Sequence, residues 1–351
     1  MLSLSDGDTI YVANEGSNTV SVIDTSTHTV TATITVGNQP FGAAVAPDGT
    51  VYVENKGDGT ISVIDPTTNT VTSTIAIGDT LNGLGDFIAS LPSTSGELLA
   101  YVPNSGSDNV SVIDVATNEV VALITVGINP EGVAVNPNGT EVYVTDAGSN
   151  NIVVIDTTKN VVTGTITVGT TPTGIDITPD GTEIFVTNSG DNTVSVIDTS
   201  TDTVTTTITV GTTPEEVEVS PDGTEVYVVN EGSNNVSVID TSTETVVATI
   251  DVGTAPIGVA ITNDGDEAYV SDGGSDEISV IDTKTRLEAE RINVGKSPHI
   301  FGHPFATTPS SGDGGDCNLN GKTSPSNPIF LSMFFLIPFI GMLRLKKTLN
   351  F

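Results

Sequence analysis

Two histidines and two acidic residues have the types and spacing that could bind a metal ion. His299 and His303 lie four positions apart in "PHIFGHP", so their side chains point to the same side of an extended strand. Asp176 and Glu218 stand where other copies of a repeated sequence carry alanine. Two histidines with a nearby carboxylate suit a transition metal, and two carboxylates could share a calcium ion. The alternatives, which we favour, are histidines that only line a strand and carboxylates that face water.

A second set of candidates follows prolines that recur along the chain. The segments read "GNQPFG", "GINPEG", "GTTPTG", "GTTPEE", "GTAPIG" and "GKSPHI". The residue after each proline differs from copy to copy: Phe41, Glu131, Thr173, Glu215, Ile257 and His299. Variable side chains on a rigid frame are typical of a ligand site if they surround an opening. Neutral variation at an exposed position is the alternative.

Composition limits the kinds of partner. The formal net charge is −34, with 44 acidic and only 10 basic residues among 351. Nucleic acid is excluded as a partner, because binding phosphates requires many lysines and arginines. Cations and basic partners are compatible with this charge. The chain shows no nucleophile elbow, no haem-attachment cysteine pair and no phosphate-binding loop, so we identify no catalytic residue.

The elements that position these residues are set by a repeat. Close copies of "YVANEGSNTVSVIDTSTHTVTATITVG" begin at seven aromatic residues: Tyr11, Tyr52, Tyr101, Tyr143, Phe185, Tyr227 and Tyr269. Each unit of about 42 residues contains four short runs that alternate or are rich in β-branched residues, which predicts four strands. The runs are separated by turn sequences such as "PDGT" and by the aspartate that ends each "VID". Seven such aspartates could suggest seven cation sites, but their presence in every copy favours a turn-forming role.

Seven four-stranded units predict an all-β protein that folds as a seven-bladed β-propeller. A single sheet cannot cover its own two apolar faces, so neighbouring units must stack, and units of this size form propeller blades. The chain opens on the second strand of a blade, and residues 296–306 supply the missing inner strand. We therefore expect the C-terminal segment to complete blade 1 and close the ring.

The strings "PDGTEVYVVNEGSNNVSVIDTSTETVVATIDVG" and "YVTDAGSNNIVVIDTTKN" resemble the YVTN-repeat β-propellers of prokaryotic surface-layer and secreted proteins. The resemblance covers residues 8–306. It implies a seven-bladed propeller at a cell surface, and it implies no single activity, since this family shares none.

Two segments depart from the repeat. The link into the third blade is lengthened by several residues and adds Leu81, Leu84 and Phe87, which we expect to form a lid beside the opening; a tolerated insertion is the alternative. After a propeller of residues 1–306, residues 307–327 read as a flexible linker that contains the single cysteine, Cys317, a candidate anchoring or modification site. Residues 328–351 hold an apolar run followed by "RLKK", which predicts an apolar helix serving as a sorting signal or membrane anchor.

The sequence therefore predicts a non-enzymatic protein at the cell surface, used for adhesion, envelope structure or ligand binding at the channel mouth. The expected partners are a protein or glycan and, through the tail, the membrane. No cofactor is expected apart from a divalent cation such as calcium. The N-terminus shows no signal peptide, so either the protein stays in the cytoplasm or the true start lies upstream of Met1. The alternative is an extracytoplasmic propeller enzyme, metal-dependent or of lactonase or dehydrogenase type, with its site near the channel.

Overall fold

The computed structural model describes residues 8–46, 48–77, 84–85, 88–90, 98–300 and 305–307. The chain divides into a compact unit Met1–Ser310, which holds all of these residues, and a second unit Ser311–Phe351. The strands of the first half are β1 (Asp8–Asn14), β2 (Thr19–Asp24), β3 (Thr29–Thr35), β4 (Pro40–Val45), β5 (Val51–Asn55), β6 (Thr60–Asp65), β7 (Thr70–Ala76), β8 (Leu84–Gly85), β9 (Ile88–Ser90), β10 (Leu98–Asn104), β11 (Asn109–Asp114), β12 (Glu119–Thr125), β13 (Pro130–Val135), β14 (Glu141–Asp146), β15 (Asn151–Asp156) and β16 (Val161–Thr167).

The second half continues the same order. Its strands are β17 (Pro172–Ile177), β18 (Glu183–Asn188), β19 (Thr193–Asp198), β20 (Thr203–Thr209), β21 (Pro214–Val219), β22 (Glu225–Asn230), β23 (Asn235–Asp240), β24 (Thr245–Asp251), β25 (Pro256–Ile261), β26 (Glu267–Asp272), β27 (Glu277–Asp282), β28 (Leu287–Asn293), β29 (Pro298–His299) and β30 (Phe305–Thr307). Two short 3-10 turns, Glu15–Ser17 and Glu231–Ser233, are the helical elements among the described residues.

Apart from the short β8, these strands form seven antiparallel sheets, which confirms the seven-bladed propeller. Blade 1 contains β1 to β3, blade 2 contains β4 to β7, blade 3 contains β9 to β12, and blades 4 to 7 take the following strands in fours. The closing strand is also confirmed: β29 and β30 pair antiparallel with β1, with Ala13 opposite His299 and Ile10 opposite Phe305. Blade 1 therefore takes its inner strand from the end of the propeller sequence.

Buried aromatic rings hold neighbouring blades together. The seven residues that begin the repeat copies are all at most 2 % exposed. Each packs into the cluster shared with the following blade; Tyr143, for example, contacts the group that contains Ile175 and Val186 of blade 5. At the ring closure Tyr269 of blade 7 packs with Ile10 and Ile300. The apolar core is thus a series of inter-blade layers, as stacking of two-faced sheets requires.

A buried asparagine links three segments within a blade. Asn188 donates from Nδ2 to Thr193 Oγ1 and Ser195 Oγ, and its Oδ1 accepts from Gly169 N at 3.0 Å. Asn14, Asn55, Asn104 and Asn230 occupy the same position in other blades, and aspartate replaces asparagine at 146 and 272. The last residue of each "YVTN"-like string is therefore a structural cross-link.

The turns form as their residues predict. The aspartate at the end of each third strand accepts hydrogen bonds from backbone amides two or three residues later, as Asp198 Oδ1 does from Ser200 N at 2.8 Å. This confirms the turn-forming role of the seven aspartates over seven cation sites. In "PDGT" only the glycine adopts left-handed backbone angles. Gly181, for example, has φ 73°, a region that residues with a Cβ rarely adopt.

The insertion before blade 3 is described only in part. β8 runs parallel to β13, with Leu84 opposite Gly132, so this short strand lies in the channel along the inner edge of blade 4. Leu81, Phe87, Cys317 and the predicted apolar helix lie outside the described residues. Among the described residues, no helix is long and apolar enough to cross a membrane.

Candidate functional site

The residues that follow the prolines lie at the start of the inner strands, at the channel mouth. In five blades the register of the inner strand shifts just after the proline, for example between Pro214 and Val217. A bulge at this place removes the next residue, or the next two, from the regular ladder and re-aims their side chains. The turns between second and third strands end at the same rim, because the strands alternate in direction. The mouth therefore combines side chains from both sets of loops.

One side of the mouth combines two aromatic rings with a glutamate and a lysine. The rings of Phe41 and His299, from blades 2 and 1, lie 4.5 Å apart between centroids. Lys56 places its Nζ 4.7 Å from the centre of the Phe41 ring, a cation–π contact. His299 Nε2 lies 3.2 Å from Glu15 Oε2. This hydrogen bond lowers the pKa of Glu15, and Lys56 lowers it further.

The opposite side is acidic. Burial raises the pKa of Glu215 to about 8, and repulsion from Glu231 and Glu131 adds to the shift. Burial also raises the pKa of Glu131, although a hydrogen bond from Asn129 Nδ2 at 2.7 Å and the charge of Lys56 oppose the rise. These carboxylates come from blades 4 and 6 and share one electrostatic environment. A cation placed between them would relieve their repulsion.

The remaining predicted mouth residues are less suited to contact a ligand. Thr173 is 4 % exposed, and its Oγ1 lies 2.9 Å from both Thr187 Oγ1 and the backbone oxygen of Glu215. Ile257 is half-buried and packs against Gly273. The structure thus brings Phe41 into contact with His299 and places Glu131 near enough to Glu215 to raise its pKa, whereas Thr173 is part of the frame.

The predicted carboxylates of blades 5 and 6 lie deeper, in the channel wall. Asp176 is half-buried and accepts from Ile177 N at 2.7 Å and from Val219 N of the next blade at 2.6 Å. Glu218 is only 2 % exposed, so it does not lie open to channel water. A third carboxyl group, Glu216, lies beside them and is 1 % exposed. Burial raises the pKa of Glu216 well above its usual value, and Glu218 and Asp176 raise it further.

The predicted transition-metal site cannot be assembled from the described residues. His303 lies outside them, and His299 faces the mouth beside Phe41 and Glu15. Within the described ranges, no three histidine, cysteine, aspartate or glutamate side chains are arranged as a ligand set.

Two open clefts lie at the opposite end of the propeller, between neighbouring blades. One, of about 520 Å³ between blades 6 and 7, is lined by residues that include Glu225, Lys284 and Arg286, and a similar cleft of about 500 Å³ lies between blades 5 and 6. Arg286 forms an ion pair with Glu225 across the blade boundary. This ion pair links blades 6 and 7.

Sequence reasoning missed four important residues. Glu15, Lys56 and Glu231 each follow the buried asparagine, in the turns between the second and third strands, and these turns were not singled out in the sequence. Glu216 replaces the glycine found at 42, 132, 174 and 258, a larger departure than the alanine replacements at 176 and 218. The signal for it was present in "PEEVEV" against "PTGIDI".

Comparison with known proteins supports the fold. A family model described as "Lactonase, 7-bladed beta-propeller" matches residues 155–249, which is less than half of the chain. The PE-PGRS family protein PE_PGRS18 of Mycobacterium tuberculosis is 59 % identical over 46 residues, which are 13 % of this chain and 10 % of that protein. The match thus spans about a tenth of the length of that curated relative.

Solved structures of similar fold include enzymes. Hydrazine synthase of Kuenenia stuttgartiensis aligns with a TM-score of 0.66 and 24 % identity, covering 74 % of this chain and 88 % of that one. A functionally unknown protein of Desulfotomaculum acetoxidans gives 0.70 and 19 %, covering 84 % and 99 %. Dihydro-heme d1 dehydrogenase NirN in complex with DHE gives 0.61 and 15 %, covering 85 % and 75 %. At these identities the likeness shows the propeller fold and no activity.

Proposed function

We propose that this protein is a non-enzymatic binding propeller whose channel mouth takes a positively charged segment of a protein partner. The observation that carries the proposal is the pairing of half-buried Glu131 and Glu215 from different blades. The pKa of Glu215 is raised to about 8 by burial and by Glu231 and Glu131, so at neutral pH a proton, rather than a positive charge, compensates this carboxyl group. A lysine or arginine side chain would restore the charged form of both.

The rest of the mouth supports the same class of ligand. Phe41 presents an aromatic face that already accepts the ammonium group of Lys56 at 4.7 Å. Such a face also suits a guanidinium or ammonium group of a partner. The net charge of −34 attracts basic partners within the Debye screening length that the salt concentration sets. A neutral glycan could donate hydroxyl hydrogen bonds to these carboxylates but would not neutralise their charge, so we favour a basic protein segment.

Binding of a lysine-rich peptide tests this function. We expect the full chain to bind a fluorescent oligolysine, and the double variant Glu131→Gln, Glu215→Gln to bind about tenfold more weakly, because two half-buried charges are lost. Raising NaCl from about 0.05 M to about 0.5 M is expected to weaken wild-type binding more than binding by the variant. Fluorescence anisotropy measures both effects.

The matched control is Glu119→Gln. This residue is exposed on the outer strand β12, far from the mouth, and its substitution changes the net charge without changing the site. We expect this variant to bind within about twofold of the wild type. Equal weakening by Glu119→Gln and by either mouth substitution would mean general charge attraction and would overturn the proposed site.

A second candidate is a hydrolytic propeller enzyme, favoured by the partial lactonase match and by two glutamates whose pKa values move apart. The pKa of Glu15 is lowered and that of Glu215 is raised to about 8, as a base and an acid would require. Lactone hydrolysis by the wild type that is lost in Glu215→Gln would favour this candidate. Absence of hydrolysis across aromatic, sugar and acyl-homoserine lactones would favour the binding propeller.

We also propose that the protein is displayed on the cell surface and anchored by residues 328–351, as a YVTN-type propeller would be. The strong acidity of residues 1–306, the polar linker and the apolar run with its basic end support this placement. Cys317, in the linker, is then the candidate site for covalent attachment. Fractionation of producing cells is expected to recover the wild type with membranes and a variant lacking residues 328–351 in the medium. Full-length protein in the cytoplasm would contradict it.

A further inference from the structure

One side chain joins blade 1 to blade 7 on the face of the propeller opposite the mouth. His28 lies in the turn between β2 and β3, and both of its ring nitrogens face carboxylates of blade 7. Nδ1 lies 3.0 Å from Glu290 Oε2, and Nε2 lies 3.1 Å from Glu267 Oε1. A neutral imidazole carries a single N–H, so only the imidazolium can donate to both carboxylates. The geometry therefore fits the protonated ring.

The other groups beside this ring come from both blades. Tyr269 donates from its hydroxyl to Glu267 Oε2 at 2.8 Å, and its ring lies edge-on to His28 with 6.1 Å between the ring centroids. Burial, the hydrogen bond to Glu267 and the charges of Glu267, Asp24 and Asp264 raise the pKa of Tyr269, so this hydroxyl keeps its proton. The charges that act on this tyrosine from blades 1 and 7 are therefore negative.

Two opposing effects set the pKa of His28. Burial disfavours the charged ring, whereas the hydrogen bonds to Glu290 and Glu267 and the charges of both favour it, and the net result is a pKa above the usual 6.5. The basic side chains of blade 7 form their ion pairs with other carboxylates: Lys284, Arg286 and Arg291. Among the described residues, the ion pairs of Glu267 and Glu290 are both with His28.

The same turn position joins several other pairs of blades. Its residue has left-handed backbone angles in every blade: His28, Asn69, Asn118, Asn160, Asp202, Glu244 and Arg286. Asn118 and Asn160 accept from tyrosine hydroxyls of the preceding blades, and Arg286 pairs with Glu225 of blade 6. An amide stays neutral and a guanidinium stays charged, whereas an imidazole changes its charge near neutral pH. The boundary that closes the ring is thus the one with a histidine at this position.

We propose that His28 is a pH-sensitive clasp, which ties blade 1 to blade 7 while its ring is protonated and releases this boundary when the ring loses its proton. The clasp acts beside the strands that close the ring, since Tyr269 also packs with Ile10 and Ile300. The pKa of His28 is raised on folding, so the stabilisation is complete below about pH 6.5 and is lost as pH rises through the higher pKa of the folded state. The ring closure is therefore tighter in acid than in alkali.

Thermal unfolding at two pH values tests the clasp. His28→Asn removes the imidazole and keeps the left-handed turn, because asparagine stands at this position in three other blades. We expect the wild type to unfold about 2 to 4 °C above this variant at about pH 5.5, and within about 1 °C of it at about pH 9.5.

Arg286→Asn is the matched control at the boundary of blades 6 and 7. Its unfolding temperature is expected to differ from that of the wild type by the same amount at both pH values, because the guanidinium keeps its charge throughout this range. A pH-independent difference for His28→Asn would overturn the clasp. An equal change with pH in Arg286→Asn would show that alkali weakens every boundary and would overturn it too.

Titration of the histidine ring protons by nuclear magnetic resonance follows the proton itself. The His28 signal is the one missing from His28→Asn, and we expect it to titrate above 6.5 in the wild type and at lower pH in Glu290→Gln. Glu277→Gln removes a carboxylate of blade 7 that pairs with Arg291, and it is expected to leave the titration almost unchanged. Wild-type titration of His28 at or below its usual pKa, or equal shifts in the two glutamate variants, would contradict the proposal.

Discussion

The variant Asp146→Asn is expected to be more stable than the wild type by about 2 to 4 kcal/mol at pH 8 and to lose that advantage near pH 4. Asp146 occupies the position of the cross-linking asparagine in blade 4 and is fully buried. Burial raises its pKa to about 7, with a smaller rise from Asp108 and an opposing effect of the Gly127 amide. The folded protein therefore holds a proton on Asp146 that the unfolded chain releases near pH 4.

The direction of the pH dependence follows from the difference between the pKa of Asp146 in the folded protein and in the unfolded chain. Between about pH 4 and pH 7 the folded state binds more protons at this position than the unfolded state, so the free energy of unfolding falls as pH rises. The neighbouring contacts also favour the substitution, because Asp146 Oδ1 and Asn151 Oδ1 are both buried acceptors that receive no hydrogen bond from the part of the chain that the structure describes. In blades 3 and 6 an asparagine at the same place donates to the equivalent amide oxygen, at 2.7 Å between Asn104 and Asn109. Asp146→Asn supplies that missing donor.

Denaturant unfolding at several pH values measures the effect. Asn188→Asp is the reciprocal control, since it places the same carboxyl group in blade 5 and is expected to destabilise the protein increasingly above pH 4. Parallel pH profiles for the wild type and Asp146→Asn would contradict the explanation.

Removing the closing strand is expected to have the largest effect on stability. A chain that ends after Gly295 loses β29 and β30, the buried side chain of Ile300, and the backbone bonds from Glu15 N to Ser297 O and from Gly16 N to Lys296 O, each 3.0 Å long. We expect it to lose at least about 5 kcal/mol, because an isoleucine contributes about 2 to 3 and several hydrogen bonds about 1 each. Calorimetry should show a broad, early transition or none.

Two controls make this result specific. A chain that ends after Ser310 keeps both closing strands and is expected to melt like the wild type. Ile300→Ala is expected to cost about 2 to 4 kcal/mol, whereas Ile128→Ala, at a position that is 60 % exposed, is expected to cost almost nothing. Cooperative wild-type melting of the chain ending after Gly295 would show that the ring does not depend on its closing strand.

The fold could be predicted from the sequence because each local signal was repeated. Alternation marked the strands, glycines such as Gly181 marked the tight turns, and the missing first strand of the first copy pointed to its replacement at residues 296–306. The third blade was harder, since its inner strand β9 lies within an insertion that no other copy carries, and β8 pairs with the next blade. Long-range pairing of that kind leaves no periodic signal.

The candidate site was predicted less completely. The positions after the prolines did reach the mouth, but bulges decide which side chain turns into the opening, and Thr173 turned into the frame instead. Glu216 was missed because its burial depends on Gly174 of the neighbouring blade, a contact across 42 positions in the sequence. Comparison of every column of the repeat would have found the substitution, but only the folded ring shows that the side chain is enclosed.

Each repeat copy begins on the second strand of a blade, so the copies and the blades are out of step by one strand. This offset affects how the number of blades can change when the gene changes. Because the segment that fastens the ring lies after the last full copy, duplication or deletion of one whole copy in the gene would leave both fastening partners, β1 and β29 with β30, in place. The number of blades can then vary by recombination between near-identical copies without loss of the fastening.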